Sequence, residues 1–338
     1  MADLAIILTV RSDSERFKDK CFLEVRKRPL IYWIIKRLQK IDSGQVVLAT
    51  THKPSDDRLV ELATQMKIPV YRGDSRDVVA RVDSAMRQHV PECKLVFRAL
   101  ADMPFISVEL VNRAAQVLLK YGKEAFLWHL PPDIWPVYGA REFPYSRSGW
   151  DKIARSSRVT EEREHTDMYF HRNRRRFDVV YHEPPPTDYF RPYRLEVDYP
   201  EDGALIQAIG GKIGMLKPLT EVIRHLDQNP KVARLNREKI EKTGVSSYEY
   251  QQQRIWMNLM KGQPELDWDN KWWRPMNGQQ VPIFCHRGHL LGYAQYGTLY
   301  TRDGEIQIEA GKIKCQKEGC GSSKYWHLAK ERQVKINL

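Results

Sequence analysis

The first 122 residues alternate short apolar runs with segments of helical periodicity, and this alternation limits the fold more than any other feature. The apolar runs are typical of buried strands, and they cover residues 4–10, 45–51, 68–73 and 94–105. The segments with helical spacing cover residues 29–41, 56–66, 77–89 and 107–122. Continuously apolar strands that alternate with helices predict an α/β fold, with a mostly parallel sheet and helices on both of its faces.

Charged side chains follow the ends of the predicted strands. The loop "RSDSERFKDK" (11–20) comes after the first strand, and Asp102 lies at the end of the fourth. "RLEV" (194–197) is also strand-like, and Asp198 follows it, before a helix that Pro200 opens. Ligands of open α/β sheets bind beyond the carboxyl ends of the strands, and Mg²⁺ takes one or two carboxylates together with phosphate oxygens. The pattern indicates a magnesium–nucleotide site, although Asp102 and Asp198 equally suit turns or helix caps.

Charge and cysteine usage limit the class of protein. The chain of 338 residues has a net charge of +12, which favours a phosphorylated partner, either a nucleotide or a nucleic acid. No apolar stretch is long enough to span a bilayer, so we expect no membrane partner. The five cysteines, of which Cys21 and Cys93 are isolated, do not form a disulfide framework. These features together predict a cytoplasmic protein.

Seven ordered motifs extend over residues 1 to about 242. They are "RSDSERFKDK", "VVLATTHKPSDDRLVELA", "YRGDSRDVVARV", "RALADMPFI", "EREHTDMYFHRNRRRF", "RLEVDYPEDGALI" and "LTEVIRHLDQNPKVARLN". In this order they resemble the cytidylyltransferases that make activated sugars, especially the branch of spore-coat polysaccharide biosynthesis. The cytidylyltransferases for KDO and for acylneuraminate are more distant relatives.

The resemblance implies a fold, a reaction and a set of site residues. The fold is that of the nucleotide-diphospho-sugar transferases, and the reaction transfers CMP from CTP to a sugar or sugar acid with release of pyrophosphate. The nucleotide-binding positions correspond to Arg11, Ser14, Arg16 and Lys20. Lys20, Asp102 and Asp198 correspond to the catalytic positions, and the two aspartates would hold Mg²⁺. The acceptor-binding positions correspond to Arg72, Asp77, Arg163 and His165.

The loop after the first strand departs from the family pattern, which is rich in glycine. Asp13 replaces the first glycine, and Lys18 and Asp19 replace a proline and a glycine. Arg26 and Lys27 replace two further glycines. Glycine lets backbone N–H groups approach phosphate and adopt positive φ, whereas the charge of an aspartate repels phosphate. Two interpretations stay open here, a working nucleotide site and one that has lost its transfer chemistry.

The C-terminal part is a different module. We predict a nucleotidyltransferase-like domain over residues 1–243, a linker over 244–280 and a zinc ribbon over 281–338. The ribbon's predicted ligands are Cys285, His289, Cys315 and Cys320, with His286 as a less suitable substitute for His289. Four such ligands make a closed, structural tetrahedral Zn²⁺ site, and an Asp303-Gly304 turn predicts a hairpin between the two pairs. The alternative is free thiols in an ordinary hairpin.

Two classes of function are consistent with this module. In the first, the protein is a cytidylyltransferase whose ribbon stabilises a homodimer or covers the acceptor site. In the second, the nucleotidyltransferase-like domain is diverged or inactive, and the ribbon docks a nucleic acid or a protein partner. Pyrophosphate release supports the first class, and salt-dependent nucleic-acid binding without turnover supports the second.

Overall fold

The structure is a computed structural model that describes residues 2–128, 137–139, 143–182, 185, 189, 191 and 193–236, together with six strands between residues 281 and 326. The chain divides into two compact units. The first comprises Met1–Trp128, Pro136–Tyr189 and Tyr193–Lys239, and the second comprises His129–Trp135, Phe190–Pro192 and Ile240–Leu338. The domain bounds predicted after residues 243 and 280 fall outside the described residues and stay predictions.

The first unit alternates strands and helices along most of its length. Its described strands are β1 (Leu4–Thr9), β2 (Glu24–Val25), β3 (Arg28–Pro29), β4 (Gly44–Thr51), β5 (Val70–Gly73), β6 (Leu95–Leu100), β7 (Ala125–Trp128), β8 (Tyr145–Ser146) and β9 (Val179–His182). Its described helices are α1 (Leu30–Leu38), α2 (Asp57–Gln65), α3 (Val78–His89), α4 (Val108–Tyr121), α5 (Arg147–Ser156), α6 (Thr160–Glu164), α7 (Met168–Arg172), α8 (Pro200–Ile213), α9 (Leu219–Gln228) and α10 (Pro230–Ala233).

Seven strands form one sheet in the order β5-β4-β1-β6-β8-β7-β9. Strand β1 lies between β4 and β6 and is parallel to both, and only β8 runs against its neighbours. The mostly parallel sheet predicted from the sequence is therefore confirmed. Thr9 pairs with Ala49 of β4 and with Leu100 of β6, so the carboxyl ends of the three central strands meet at one edge. The loop after β1 and the residues after β6 consequently start side by side.

The core lies on both faces of this sheet. Ala5 and Ile7 of β1 share a buried cluster with Val79 and Val82 of α3. Every residue of β1 is buried, including those whose side chains alternate to the opposite face. Burial on both faces explains why the central strands have no polar alternation in the sequence.

Two details of the predicted elements are borne out and two are not. Helix α4 ends where expected, because Gly122 adopts φ 59° and donates its N–H to the carbonyl of Leu118. Helix α8 begins at Pro200, as predicted. Strand β6 stops at Leu100 instead of continuing to residue 105, and the predicted strand over 194–197 is reduced to one isolated bridge, at Arg194. Among the described residues, no helix is long and apolar enough to cross a membrane.

The described part of the second unit consists of strands. Its strands are β10 (Val281–Phe284), β11 (Leu290–Gln295), β12 (Thr298–Thr301), β13 (Gly304–Gln307), β14 (Gly311–Lys314) and β15 (Ser323–Trp326). The first four form an antiparallel sheet and the last two a separate antiparallel pair. Thr301 pairs with Gly304, which confirms a hairpin at the predicted turn. The predicted zinc ligands Cys285, His289, Cys315 and Cys320 lie outside the described residues.

Candidate active site

Three carboxylates meet beyond the carboxyl edge of the sheet. Asp102 follows β6, while Glu196 and Asp198 lie on the extended segment that leads into α8. One oxygen from each of the three lies within 4.8 Å of the others. Both aspartates predicted as metal ligands are thus brought together, and Glu196 joins them. We call Asp102, Glu196 and Asp198 the acid cluster.

Lys20 lies between the two aspartates of the acid cluster. Its Nζ is 3.1 Å from Asp102 Oδ2 and 3.1 Å from Asp198 Oδ1, and it donates to the Val197 carbonyl at 2.7 Å. Burial opposes the charge of this ammonium, yet the carboxylates of Asp102 and Asp198 raise the pKa of Lys20 above its ordinary value. Lys20 is therefore held as a cation that balances part of the negative charge.

The third carboxylate, Glu196, has a more distant counter-charge than the two aspartates have in Lys20. Burial, followed by repulsion from Asp102 and Asp198, raises the pKa of Glu196 to about 7, although Arg194 at 3.7 Å opposes that shift. Glu196 Oε2 and Asp102 Oδ1 are both buried without a hydrogen-bond partner. Buried carboxylate oxygens without donors are costly in the absence of a cation. An all-oxygen cluster of this kind fits a hard divalent ion such as Mg²⁺.

Arg194 fixes the segment that carries two of the acids. This buried guanidinium donates to Asp198 Oδ2 at 2.7 Å and to Asp202 Oδ1 at 3.3 Å. Asp202 in turn accepts the backbone N–H groups of Asp198 and Tyr199, both at 3.0 Å, and thereby caps the first turn of α8. Burial opposes the charge of Arg194, but the surrounding acids, Glu196 first, raise its pKa. The positions of Glu196 and Asp198 are consequently set by a buried ionic network.

Three residues that replace glycines, in the loop after β1 and in the turn after β2, adopt left-handed backbone conformations. Asp19 adopts φ 55°, in the left-handed region, at a position where the resemblance puts a glycine. Arg26 and Lys27, which also replace glycines, adopt φ 50° and φ 60° in the two-residue turn between β2 and β3. Aspartate is among the residues that tolerate this region best, whereas arginine and lysine are not. The chain therefore accepts backbone strain at these positions.

Asp56 anchors the beginning of the loop. It is fully buried and accepts hydrogen bonds from the N–H and the hydroxyl of Ser12, at 2.9 and 2.8 Å, and from the hydroxyls of Thr50 and Thr51. Burial raises the pKa of Asp56, but the hydrogen bonds from Thr51 and Ser12 outweigh it and lower the pKa overall. Nothing in the sequence pattern marked Asp56, which resembles an ordinary residue at a helix start.

Comparison with known proteins decides which family this arrangement represents. The sequence profile of a family described as cytidylyltransferase matches residues 5–191. The chain belongs to the cytidylyltransferase family. This family uses CTP for nucleotidyl transfer. The resemblance that the motifs of the first unit predict is therefore confirmed.

Individual relatives agree with this assignment. An uncharacterized protein of Methanocaldococcus jannaschii is 26% identical over 232 residues, which are 68% of this chain and 93% of the relative. The spore coat polysaccharide biosynthesis protein SpsF of Bacillus subtilis is 24% identical over 69% of this chain and 98% of its own. The 3-deoxy-manno-octulosonate cytidylyltransferase of Neisseria gonorrhoeae is 22% identical over 36% of this chain and 47% of its own.

A solved structure supports the fold. The structure of a cytidylyltransferase from Leptospira borgpetersenii superposes with a TM-score of 0.61 at 20% identity, and the match covers 69% of this chain and 97% of that one. The nucleotide-diphospho-sugar transferase-like fold predicted for the first unit is thereby confirmed.

The remaining residues predicted to bind the nucleotide lie around the loop after β1. Arg16 reaches Asp198 Oδ1 at 3.3 Å and so joins the acid cluster. Arg11 Nε lies 3.6 Å from Asp13 Oδ1, and Lys53 forms a second ion pair with Asp13. The charge of Asp13 is therefore neutralised by two cations. Ser14 is half-buried in the loop.

The predicted acceptor residues do not form a single group. Arg72 donates to the carbonyls of Thr51 and Lys53, each at 2.8 Å, and to Asp57. Asp77 caps α3 and accepts two hydrogen bonds from Arg163, at 2.9 and 2.6 Å. His165 is exposed at the end of α6. Arg72 and the Asp77–Arg163 pair thus have structural partners, and the acceptor roles of all four residues stay predictions.

Proposed function

We propose that this member of the cytidylyltransferase family transfers CMP from CTP to a sugar or sugar-acid acceptor and releases pyrophosphate in a Mg²⁺-dependent reaction. The observation that carries the proposal is the acid cluster of Asp102, Glu196 and Asp198 beside Lys20, at the edge where ligands of such sheets bind. The Neisseria gonorrhoeae relative is named for cytidylyl transfer to a sugar acid, and the Bacillus subtilis relative for polysaccharide biosynthesis. These names support the acceptor class.

In this proposal Asp102 and Asp198 hold Mg²⁺, with Glu196 as a further carboxylate of the site. The ion, when bound, supplies positive charge next to the α-phosphate and the acceptor oxygen. Lys20 lies at the same point, so its ammonium is available to a phosphate oxygen once the carboxylates have another counter-charge. Arg16 and Arg11, whose side chains are 58% and 47% exposed, are available to the β- and γ-phosphates.

The proposed transfer is direct and forms no covalent intermediate with the protein. An acceptor hydroxyl oxygen forms a bond to the α-phosphorus of CTP while the bond between the α-phosphorus and its bridging oxygen to the β-phosphate breaks. Pyrophosphate leaves with that oxygen, and the hydroxyl proton passes to solvent. Such transfers depend on positioning and on charge neutralisation more than on covalent help from the protein. The cationic loop and the acid cluster are suited to that task.

The proposal includes the loop after β1 as a functional phosphate-binding loop whose residues differ from the family pattern. The charge of Asp13, which would otherwise repel phosphate, is compensated by Arg11 and Lys53. Asp19 already holds the left-handed backbone that glycine favours. Both observations support a loop that binds the triphosphate although it lacks the family's glycines. The acceptor roles of Arg72, Asp77, Arg163 and His165 are part of the same proposal.

The second unit is proposed to hold one structural Zn²⁺. Cys285 and His289 fall in the chain between β10 and β11, and Cys315 and Cys320 fall between β14 and β15, so each pair lies between two antiparallel strands. Metal content is the direct measurement. Full-length protein should contain about one zinc per chain, and Cys315→Ser should release it. Zinc content unchanged by substitution of all three cysteines would exclude the site.

The function is tested by pyrophosphate release from the full chain. CTP, UTP, ATP and GTP with Mg²⁺ are each combined with a panel of sugars, sugar phosphates and sugar acids. We expect release with CTP and an acceptor from the panel, and loss of at least about 100-fold in Asp102→Asn, because a metal ligand is removed. Asp42→Asn, at an exposed aspartate that precedes β4 and lies outside the acid cluster, is the matched control and should keep full activity. If no nucleoside triphosphate binds in the presence of Mg²⁺, the proposal is wrong.

A further inference from the structure

One surface of the first unit carries cations that the fold does not pair with acids. Residues 24–42 and 205–221 hold eight lysines and arginines but only three aspartates and glutamates. Arg37 is buried against backbone carbonyls, and Lys217 pairs with Glu221 at 2.9 Å. The other six form no ion pair within 4.0 Å with any residue that the structure describes. We call these six residues the basic face: Arg26, Lys27, Arg28, Lys36, Lys40 and Lys212.

Two contacts join part of the basic face to one aromatic ring on α1. The Arg28 guanidinium carbon lies 5.2 Å from the centre of the Tyr32 ring, and the Lys36 ammonium nitrogen lies 6.0 Å from it. Cations at such distances from an aromatic ring are attracted by its negative face. Strand β3 and helix α1 therefore present their charges side by side.

The segment after α8 continues this surface. A Cβ atom added at Gly214 would lie 3.2 Å from Arg26 Nη1, so the guanidinium passes next to that glycine. Lys40 Nζ donates to the Leu216 carbonyl at 3.4 Å, and Lys212 is exposed in the last turn of α8. The β2–β3 turn, α1 and the end of α8 thus form one continuous basic surface.

Few acids on these elements compensate the charge of the basic face. Glu24 begins β2 and Asp42 follows α1. Both are exposed, and neither forms an ion pair within 4.0 Å with a residue that the structure describes. Like charges that are held close together raise the local positive potential, and such a potential attracts a partner with many negative charges.

The turn between β2 and β3 keeps two of these cations at a cost in stability. Arg26 and Lys27 adopt φ 50° and φ 60°, at positions where the resemblance puts glycines. Residues other than glycine lose stability in this left-handed region. Backbone strain that a fold retains points to a function for the residues concerned. What arginine and lysine supply at this turn, and glycine does not, is positive charge.

We propose that the basic face binds the phosphate backbone of a nucleic acid. Lysines and arginines that lack acid partners can each neutralise a phosphate and release its counterions, whatever the base sequence. A protein interface or a lipid surface would instead require exposed apolar side chains. The large apolar side chains that are exposed in the described part of the chain lie elsewhere, at Leu119, Tyr121, Val159 and Leu235. Charge without exposed apolar area favours a nucleic acid over both.

The basic face is distinct from the acid cluster. Helix α8 begins at Pro200, two residues after Asp198, and its last turn carries Lys212. A helix of 14 residues is roughly 20 Å long, so its two ends are about that far apart. The proposal therefore goes beyond the proposed function and does not depend on it, because the nucleic acid and CTP would occupy different places.

The test measures how the full chain binds a fluorescently labelled oligonucleotide of about 20 nucleotides, as a single strand and as a duplex, over a range of salt concentrations. The turn variant, Arg26→Gly/Lys27→Gly, removes two cations and relieves the strained backbone, so it should be at least as stable as the parent. We expect the parent to bind, and the turn variant to bind at least about tenfold more weakly at low salt. The slope of log K against log salt should shrink by about 1.5–2, because two phosphate contacts are lost. Saturating CTP with Mg²⁺ should leave the parent's affinity for the oligonucleotide unchanged.

The matched control is Arg87→Gln/Lys94→Gln, which removes the same charge from two exposed side chains that pair with Asp83 and Asp3. It should bind the oligonucleotide as the parent does. An equal loss of affinity in this control, or the parent's affinity and salt slope in the turn variant, would overturn the proposal. So would binding that CTP abolishes, because the oligonucleotide would then occupy the nucleotide site. A parent that binds phosphatidylglycerol vesicles and no oligonucleotide would assign the basic face to a membrane instead, and the proposal would be wrong.

Discussion

Lys20 and Asp102 form an ion pair of 3.1 Å that joins the loop after β1 to the segment after β6. The two residues are 82 positions apart in the chain, and they meet because parallel neighbouring strands end at the same edge. Both side chains are largely enclosed, with 15% and 22% exposed. The pair therefore links the nucleotide loop to the acid cluster, and its charges respond to whichever cation or anion binds there.

Replacement of Lys20 should strengthen the binding of Mg²⁺ alone and weaken the binding of CTP with Mg²⁺. Lys20→Met leaves Asp102, Glu196 and Asp198 without the ammonium between them, so Mg²⁺ alone should stabilise the variant more than it stabilises the parent. CTP with Mg²⁺ should bind at least about tenfold more weakly, because a charged donor to phosphate is lost. Melting temperatures in titrations of Mg²⁺ with and without CTP measure both effects.

Lys18→Met provides the matched control for Lys20, because Lys18 is an exposed lysine of the same loop. It should leave both titrations close to those of the parent. If Lys20→Met shows the parent's response to Mg²⁺ and to CTP, Lys20 is not part of the site.

Asp56 should contribute stability that depends on pH. Asp56→Asn loses acceptor capacity for the donors of Ser12, Thr50 and Thr51, which should cost about 2–4 kcal/mol at pH 7. The folded pKa of Asp56 is lowered, so this stability is present above the unfolded carboxyl pKa of about 4 and is lost as pH falls through the folded value. Urea unfolding at pH 7 and pH 3 should therefore show a smaller difference between parent and variant in acid.

The neighbouring Asp57→Asn is the control for Asp56, because Asp57 is 56% exposed and pairs with Arg72 at the surface. We expect a change in unfolding free energy within about 1 kcal/mol for this variant. A difference between parent and Asp56→Asn that is the same at both pH values would show that the charge of Asp56 does not matter.

The turn between β2 and β3 should gain stability from a glycine. Lys27 adopts φ 60°, which costs a non-glycine residue roughly 1–2 kcal/mol. Lys27→Gly should raise the free energy of unfolding by about 1 kcal/mol after the entropy that glycine gains in the unfolded chain is subtracted. Arg28→Gly, at a strand residue outside the left-handed region, should lower it. Urea midpoints of the two variants test the pair, and a loss of stability in Lys27→Gly contradicts the assigned strain.

The sequence predicted the parts of the site that follow directly from strand ends. Asp102 and Lys20 came together because each follows a parallel strand, and the alternation of apolar runs and helices identified those strands. Asp198 is predicted at the same edge because it follows a strand expected over 194–197; the structure reduces that strand to one bridge at Arg194, yet Asp198 lies in the acid cluster. These features depend on local patterns and on one general rule of sheet topology, so a single sequence is sufficient for them.

Other parts of the site depend on long-range contacts that no local pattern encodes. From the sequence, Glu196 has no predicted role, because it lies inside the predicted strand over 194–197. Side chains two positions apart in an extended segment point to the same side, and Asp198 follows Glu196 at that spacing. Arg194 and Asp56 are buried ionic anchors whose partners lie on the same segment or in a distant loop. The conformation of Arg26 and Lys27 could not be predicted because both residues disfavour it.

Replacement of Glu196 tests the acid cluster most directly. Because Glu196 repels Asp102 and Asp198, its loss should not destabilise the metal-free protein, but it should weaken the binding of Mg²⁺. Glu196→Gln keeps the shape of the side chain and removes the negative charge that Glu196 carries above its pKa of about 7. The metal-free protein should be at least as stable as the parent, since repulsion with Asp102 and Asp198 disappears. The Mg²⁺ concentration needed for half of the stabilisation by CTP should rise about tenfold, because a charged oxygen ligand is lost. Glu221→Gln, at an exposed acid of α9 paired with Lys217, should change neither quantity. A magnesium dependence identical to the parent's would place Glu196 outside the metal site and leave Asp102 and Asp198 as its two carboxylates.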